Sequence, residues 1–298
     1  MPLTRSGQGH WTRRAFLGGL VGSAWATGCQ PRVGSKGNPR GWFAFLSDTH
    51  IAADRATSMH GQVMAGNLSE VVAEILAADD APRSVVVNGD LALTDGQVGD
   101  YRTFLELMEP LRRSGVTLHA TLGNHDDRGN CRAALPGLED AKLDRRVGVI
   151  DHQDLRLILL DSLDRPNVTR GELGTDQRLW LSQTLDAHPE LPALIFVHHH
   201  LDASTDAALN DTTELLALLK TKRQAKAVIV GHAHVWAHEE VDGLHVINLP
   251  AIAYKFARKE PLGWCAFRPR VGGGELELRT IGRKREHQGE CVNLVWRS

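Results

Sequence analysis

Short apolar runs alternate along this chain with stretches whose apolar residues recur three and four apart. The runs at 42–46, 84–87, 116–120, 156–160, 193–197 and 227–230 read as strands buried on both faces. Between them, 63–78, 101–111, 175–185 and 212–219 show helical spacing, with Thr175 placed to cap the third helix. After Gly231 the character changes. Residues 235–240, 244–249, 263–267 and 275–281 predict successive strands joined by turns at Asp242-Gly243 and Gly272-Gly273-Gly274. Buried strands alternating with amphipathic helices argue an α/β fold, here with antiparallel strands added at the C-terminal end. Ligands of such sheets gather at the carboxyl ends of strands. No repeat or second linker interrupts 41–298, which reads as one domain.

The segment before that domain has a different logic. Arg13-Arg14 precede Ala15-Phe16-Leu17, a weakly apolar run reaches Ala26, and Ala26-Thr27-Gly28 lead into Cys29. This resembles a bacterial twin-arginine (Tat) export signal, residues 1–28, ending in a lipobox with Cys29 as the lipidated first residue. Ala26 departs from it, since leucine is commoner there. The resemblance implies a periplasmic or membrane-anchored lipoprotein. Residues 29–40, rich in Gly, Pro, Ser and Lys, read as a linker. The cysteines at 29, 131, 265 and 291 have no CxxC spacing, so neither a zinc ribbon nor a redox pair is indicated.

Composition is that of an ordinary globular protein with material for a sizeable core: 42% hydrophobic and 23% charged residues. The formal charge is −2, and losing the leader would remove three arginines and no acid, leaving −5. That balance disfavours a protein that tracks a nucleic-acid backbone. Arg279, Arg283, Lys284 and Arg285 form a small basic cluster that reads as a solvated face. The 15 histidines are the oddity, because many fall in two groups, 198–200 and 232/234/238.

Polar, metal-capable residues stand at the ends of five apolar runs. They are Ser47-Asp48-Thr49-His50, Asn88-Gly89-Asp90, Gly123-Asn124-His125-Asp126, His198-His199-His200 and Gly231-His232-Ala233-His234. One such end is commonplace. Five in one sheet system deliver Asp, Asn and His to one pocket, a donor set suited to transition metals. His50 lies two residues after Asp48, so an extended segment would point both to one side. Glycines 89, 123 and 231 would let the backbone turn sharply beneath the metals.

The ordered set D-x-H, G-D, G-N-H-D, strand-end His and G-H-x-H resembles the calcineurin-like metallophosphoesterase superfamily. The resemblance implies a four-layer α/β/β/α sandwich with mixed sheets and two divalent or trivalent ions (Fe, Mn, Zn or Co). It assigns Asp48, His50 and His234 to one metal, Asn124, His198 and His232 to the other, and Asp90 to both. His198 is chosen over His199 because it follows the strand directly; His200 stands where the superfamily usually has proline. Water activated between the cations would attack a small phosphoester. His125 would face the phosphate and leaving group, oriented by Asp126. His238 and His245 read as structural or exposed. Leu46 to Ile51, Gly89-Asp90-Leu91, Gly123 to Arg128, and Leu160-Asp161-Ser162 with Gly171-Glu172-Leu173 resemble most the cyclic-nucleotide and glycerophosphodiester phosphodiesterase branch. A nuclease of the same superfamily and a non-catalytic metal-binding scaffold stay open as alternatives.

Overall fold

The computed structural model describes residues 41–135, 141–142, 144–283, 285 and 287–298. The leader, Cys29, the linker to residue 40 and Lys284 lie outside them. The chain runs through β1 (Phe43–Leu46), α1 (Met64–Leu76), β2 (Ser84–Asn88), α2 (Val98–Arg113), β3 (Thr117–Thr121) and α3 (Arg128–Ala134). It continues with β4 (Gly148–Asp151), β5 (Arg156–Leu159), α4 (Gly174–Asp186), β6 (Ala193–Phe196), α5 (Thr212–Lys220) and β7 (Ala225–Val230). The last strands are β8 (Ala237–Val241), β9 (Leu244–Asn248), β10 (Gly263–Arg270), β11 (Gly273–Thr280) and β12 (Cys291–Val295). A two-residue hairpin, Ser58–Met59 with Gln62–Val63, precedes α1.

Two six-stranded mixed sheets result. The first has the order β12-β11-β10-β1-β2-β3, with β1, β2 and β3 parallel and β10 to β12 antiparallel. The second has the order β8-β9-β7-β6-β5-β4, parallel except for its edge strands β8 and β4.

Strand alternation explains why the runs are apolar throughout. Phe43 and Phe45 point into a core between the sheets, while Ala44 and Leu46 face α1 and α2. In the second sheet, Leu157, Leu194 and Phe196 enter the central core, while Ile158, Ile195 and Val197 pack on α4 and α5. The layers are therefore α/β/β/α, as expected. Phe45 meets Phe196 across the sheets at 4.9 Å, edge to face. Truncating either ring to Ala would cost about 3–5 kcal/mol.

Several local expectations fail for physical reasons. Helix α4 begins at Gly174, and Thr175 does not cap it. The carboxylate of Asp211, just before α5, accepts from the N–H groups of Leu173 (3.0 Å) and Gly174 (2.9 Å) and also binds Arg178. The β10–β11 hairpin turns at Val271-Gly272, and Gly273 and Gly274 belong to β11. A Cβ at those two positions would overlap the Leu294 backbone and the Phe267 ring. Strands β4 and β12 escape the pattern because both lie at sheet edges and only one face is covered. Helix α3 is short; Asp127 caps it by accepting from the Asn130 N–H at 2.8 Å.

Candidate metal centre

The carboxyl ends of β1, β2 and β3 in one sheet and β6 and β7 in the other open at the same end of the sandwich. Asn88 joins them. Its fully buried amide nitrogen donates to the carbonyls of Val197 (3.2 Å) and Ile229 (3.3 Å), and its oxygen accepts from Thr121 (2.9 Å). The strand ends of both sheets are thereby held in register.

The motif residues then leave the strands abruptly. Asp48, His50, Asp90, His232 and His234 all have positive φ, between 43° and 68°. That region is unfavourable for side chains other than Gly and occurs where surroundings enforce it. Asp48 and His50 therefore converge through two left-handed residues, not through an extended segment as the spacing suggested. Of the three glycines, only Gly89 uses a left-handed φ. Gly123 is needed for closeness instead, because a Cβ there would overlap the Asp90 carboxylate and the His198 ring nitrogen.

Three groups of possible ligand atoms arise, each within 4.8 Å: Asp48/His50/His234, His50/Asp90/His125 and Asp90/His198/His232. His234 Nε2 lies 3.3 Å from Asp48 Oδ1 and 3.2 Å from His50 Nε2. Asp90 Oδ2 stands between the outer groups, 3.5 Å from His50 Nε2 and 3.3 Å from His198 Nε2. All these residues except His125 and His232 are buried, and those two are half-buried.

Backbone carbonyls decide which ring nitrogens face the centre. Nδ1 of His198 bonds the Asn88 carbonyl (2.8 Å), Nδ1 of His234 that of Tyr254 (2.6 Å), and Nδ1 of His50 that of Leu93 (3.4 Å). A carbonyl only accepts, so Nδ1 carries the proton and Nε2 is left to bind a cation. Buried polar atoms nearly always find partners. Yet Asn124 Oδ1 is buried without a hydrogen-bond partner in the protein, and His198 Nε2 meets only the carboxylates of Asp90 (3.3 Å) and Asp48 (3.9 Å). Those atoms suit a cation, and Asp, Asn and imidazole donors are the set that transition metals accept.

Electrostatics agree. Burial opposes ionisation of Asp48 and Asp90, but nearby histidines outweigh it and hold both carboxyls below their usual range. Without cations, burial is also overcome at His198, where Asp90 and Asp48 push the imidazole up to about 9. Burial prevails at His50 and lowers it to about 4. The centre is a buried site with two ionised carboxylates facing its imidazoles.

The expected partnership of His125 and Asp126 does not form. His125 Nδ1 bonds the Thr94 carbonyl at 2.7 Å. Asp126 is fully buried and accepts from the N–H groups of Gly123 (2.9 Å), Ala92 (3.1 Å) and Leu91 (3.2 Å) and from Tyr101 (3.1 Å). It fastens the loop after β3 to the loop after β2; burial, aided by Asp90, pushes it up to about 6. His199 is also buried, bonded to Ser162 at 2.8 Å, with its ring 4.8 Å from that of His232. His200 approaches the Asp202 N–H at 3.2 Å. Neither His199 nor His200 enters the three groups. His245 is buried and bonds His238 at 3.0 Å and the Val295 carbonyl at 2.9 Å, a structural pair.

Sequence reasoning placed Asn88 at a strand end without its cross-sheet role, and missed Thr94 and Tyr254, which contribute through backbone carbonyls that no motif marks. Arg128 is another positioning group. It binds the buried Asp161 through two nitrogens, at 2.7 and 2.9 Å, tying the β3 loop to the second sheet.

Comparison with known proteins bears directly on this site. The family profile described as calcineurin-like phosphoesterase matches residues 41–236. The cAMP/cGMP dual specificity phosphodiesterase of Mycobacterium tuberculosis is 33% identical over 222 residues, 70% of this chain and 66% of that protein's length. The 3′,5′-cyclic adenosine monophosphate phosphodiesterase CpdA of Haemophilus influenzae is 27% identical over 218 residues, covering 71% of this chain and 76% of that one. The crystal structure of a dimetal phosphatase from Danio rerio superposes with a TM-score of 0.68 at 15% identity, over 87% of this chain and all of that one, which speaks for the fold.

Proposed function

The chain belongs to the calcineurin-like phosphoesterase family, and from that premise we propose that it hydrolyses small phosphodiesters, cyclic nucleotides first among them. Asp48, His50 and His234 would hold one metal, Asn124, His198 and His232 the other, and Asp90 would reach both. The observation that carries this reading is the meeting of three groups of ligand atoms, joined through His50 and Asp90, at the buried strand ends, beside an Asn124 Oδ1 left without a hydrogen-bond partner. When bound, two cations supply charge for the phosphate oxygens and a water acidic enough to be nucleophilic near neutral pH.

The chain's own groups do the rest. Carbonyls on Nδ1 hold three imidazoles with Nε2 inward. The His125 backbone N–H donates to Asp90 Oδ1 at 2.9 Å, so one loop sets both the carboxylate that would reach both metals and the His125 imidazole. With Nδ1 committed to Thr94, His125 moves its proton at Nε2, toward the leaving oxygen. The names of the two bacterial relatives favour cyclic nucleotides, and the ligand set by itself is indifferent to the leaving group.

The test is protein reconstituted with manganese, zinc, iron or cobalt and offered phosphomonoesters, phosphodiesters and cyclic nucleotides. Turnover of 3′,5′-cyclic AMP and an aryl diester is expected. Two bound metals with no turnover would leave the scaffold reading standing, and a monoester preference would move the protein to the phosphatases. The nuclease reading loses part of its support. Arg279 pairs with Glu277, and Arg285 with Glu70 and Glu74, so those charges are engaged within the protein.

We also propose that 41–298 is one domain, that 1–28 directs Tat export, and that Cys29 carries a lipid in the envelope. Tat passes folded proteins, and this centre exists only when five distant segments have come together. Replacing Arg13 and Arg14 by lysine should leave active precursor in the cytoplasm; unchanged export would refute this.

A further inference from the structure

Phe256 is the one Phe, Tyr or Trp among the described residues with most of its surface in water, at 64% exposure. A lone exposed aromatic is ordinary, but this ring is placed. It stacks on His234 with centroids 4.5 Å apart and planes 25° apart. The Nε2 of His234 faces Asp48 in the metal centre. Tyr254 lies behind, 4.9 Å from the His50 ring and 4.8 Å from that of His234. His60 completes the edge, meeting Tyr254 at 4.8 Å and Phe256 edge-on at 5.8 Å.

Both supports of this rim are built to hold position. His60 and Gly61, with φ of 49° and 75°, form the tip of the Ser58–Met59/Gln62–Val63 hairpin, and two positive φ values suit its tight turn. On the other side, Asn67 donates to the carbonyls of Ile252 and Ala253, both at 2.9 Å. Lys255 donates to the Glu260 carbonyl at 2.6 Å, closing the loop that carries Phe256. An apolar ring is thus kept in water, one ring's thickness from a residue of the metal centre.

We infer that Phe256, carried on His234 and edged by His60, is a stacking platform for the base of a nucleotide whose phosphoryl group lies at the metal centre. This rests on the metal-centre reading and names the substrate's second half. Every base has a π face, so the platform selects nucleotides over alkyl phosphoesters without selecting one base. A group that fixes phosphate and a ring that stacks a base, side by side, recognise the two ends of one ligand.

The experiment compares AMP with ribose 5-phosphate, which share sugar and phosphate and differ by the base. Binding is measured by titration calorimetry on the full-length, manganese-loaded protein, with bound manganese counted for each variant. Wild type should bind AMP about 5- to 150-fold more tightly, the range of one base–aromatic stack. Phe256→Ala should bring the ratio near one, and Phe256→Trp should keep or widen it. Equal affinities in wild type overturn the platform. So does a Phe256→Ala protein that loses manganese and affinity for both ligands while keeping their ratio. Preference for AMP without phosphodiester turnover would sink the proposed hydrolase and spare the platform; turnover without preference would do the reverse.

Discussion

Asp126 separates a structural from a catalytic role more sharply than any other residue of the centre. Removing its side chain as Asp126→Ala strips partners from three buried backbone donors, those of Gly123, Leu91 and Ala92. Each orphaned group costs about 1–3 kcal/mol, so the loss is about 3–9 kcal/mol, toward the lower end if water fills the gap. Asp126→Asn is milder. Its oxygen can still accept from Gly123 and Leu91, while its amide nitrogen can donate to the Tyr101 hydroxyl and leaves only the Ala92 N–H unmet. That predicts a loss of about 1–3 kcal/mol. The assay is urea unfolding of metal-free and metal-loaded protein, paired with turnover of diesters whose leaving groups span a range of acidity. Loss of activity should track loss of stability and metal, equally for good and poor leaving groups. A stable, fully loaded Asp126→Asn protein whose defect grows as the leaving group worsens would refute the reasoning. It would return Asp126 to service behind His125.

Other expectations follow from the same geometry. His125→Ala should keep its metals and slow turnover by about 10²- to 10⁴-fold, less for acidic leaving groups; metal loss would instead make His125 a ligand with His50 and Asp90. Asp90→Asn should lower metal content and abolish hydrolysis together, and two retained metals at near-normal rate would remove it from the bridge. His198→Ala should lose one metal while His199→Ala keeps both. Cation-free His198, held near 9 by Asp90 and Asp48, contributes stability below about pH 6.5 that is lost as pH rises through 9. Metal must displace that proton, so loading at pH 7 should release close to one proton from this group, seen by calorimetry in buffers of different ionisation enthalpy. A His198→Ala protein that releases as many would refute the assignment.

The sequence shows strand ends well and side-chain partners poorly. Apolar runs stop where Asp48, Asp90, Asn124, His198 and His232 begin, because both faces of each strand are buried and the chain turns polar only on leaving the sheet. That is why every strand feeding the centre is legible, along with the pocket it serves. What holds those residues in place is not legible. Thr94 and Tyr254 act through carbonyls, which every residue possesses. Asp126 serves N–H groups from a loop more than thirty residues away, and Asp211 caps a helix from a similar distance. Side-chain identity announces none of these pairings, since they depend on which loops the two sheets bring together.

The left-handed residues join these observations. The i, i+2 spacing of Asp48 with His50 and of His232 with His234 looks like strand alternation, yet all four have positive φ. With Asp90 they are five residues in a region that costs on the order of 1 kcal/mol each, a substantial fraction of a marginal total stability. Part of that cost is met locally: the Asp48 N–H donates to the Gly89 carbonyl, the His50 N–H to that of Asp90, and the His232 N–H to the Asp48 carboxylate. The remainder, with the partnerless Asn124 oxygen and two ionised buried carboxylates, is a cost that bound cations would relieve. Chelation should accordingly lower the unfolding midpoint of the wild type by several degrees and that of Asp90→Asn by much less. Equal shifts in the two proteins, followed by scanning calorimetry with and without chelator, would place the stabilising metal somewhere other than this centre.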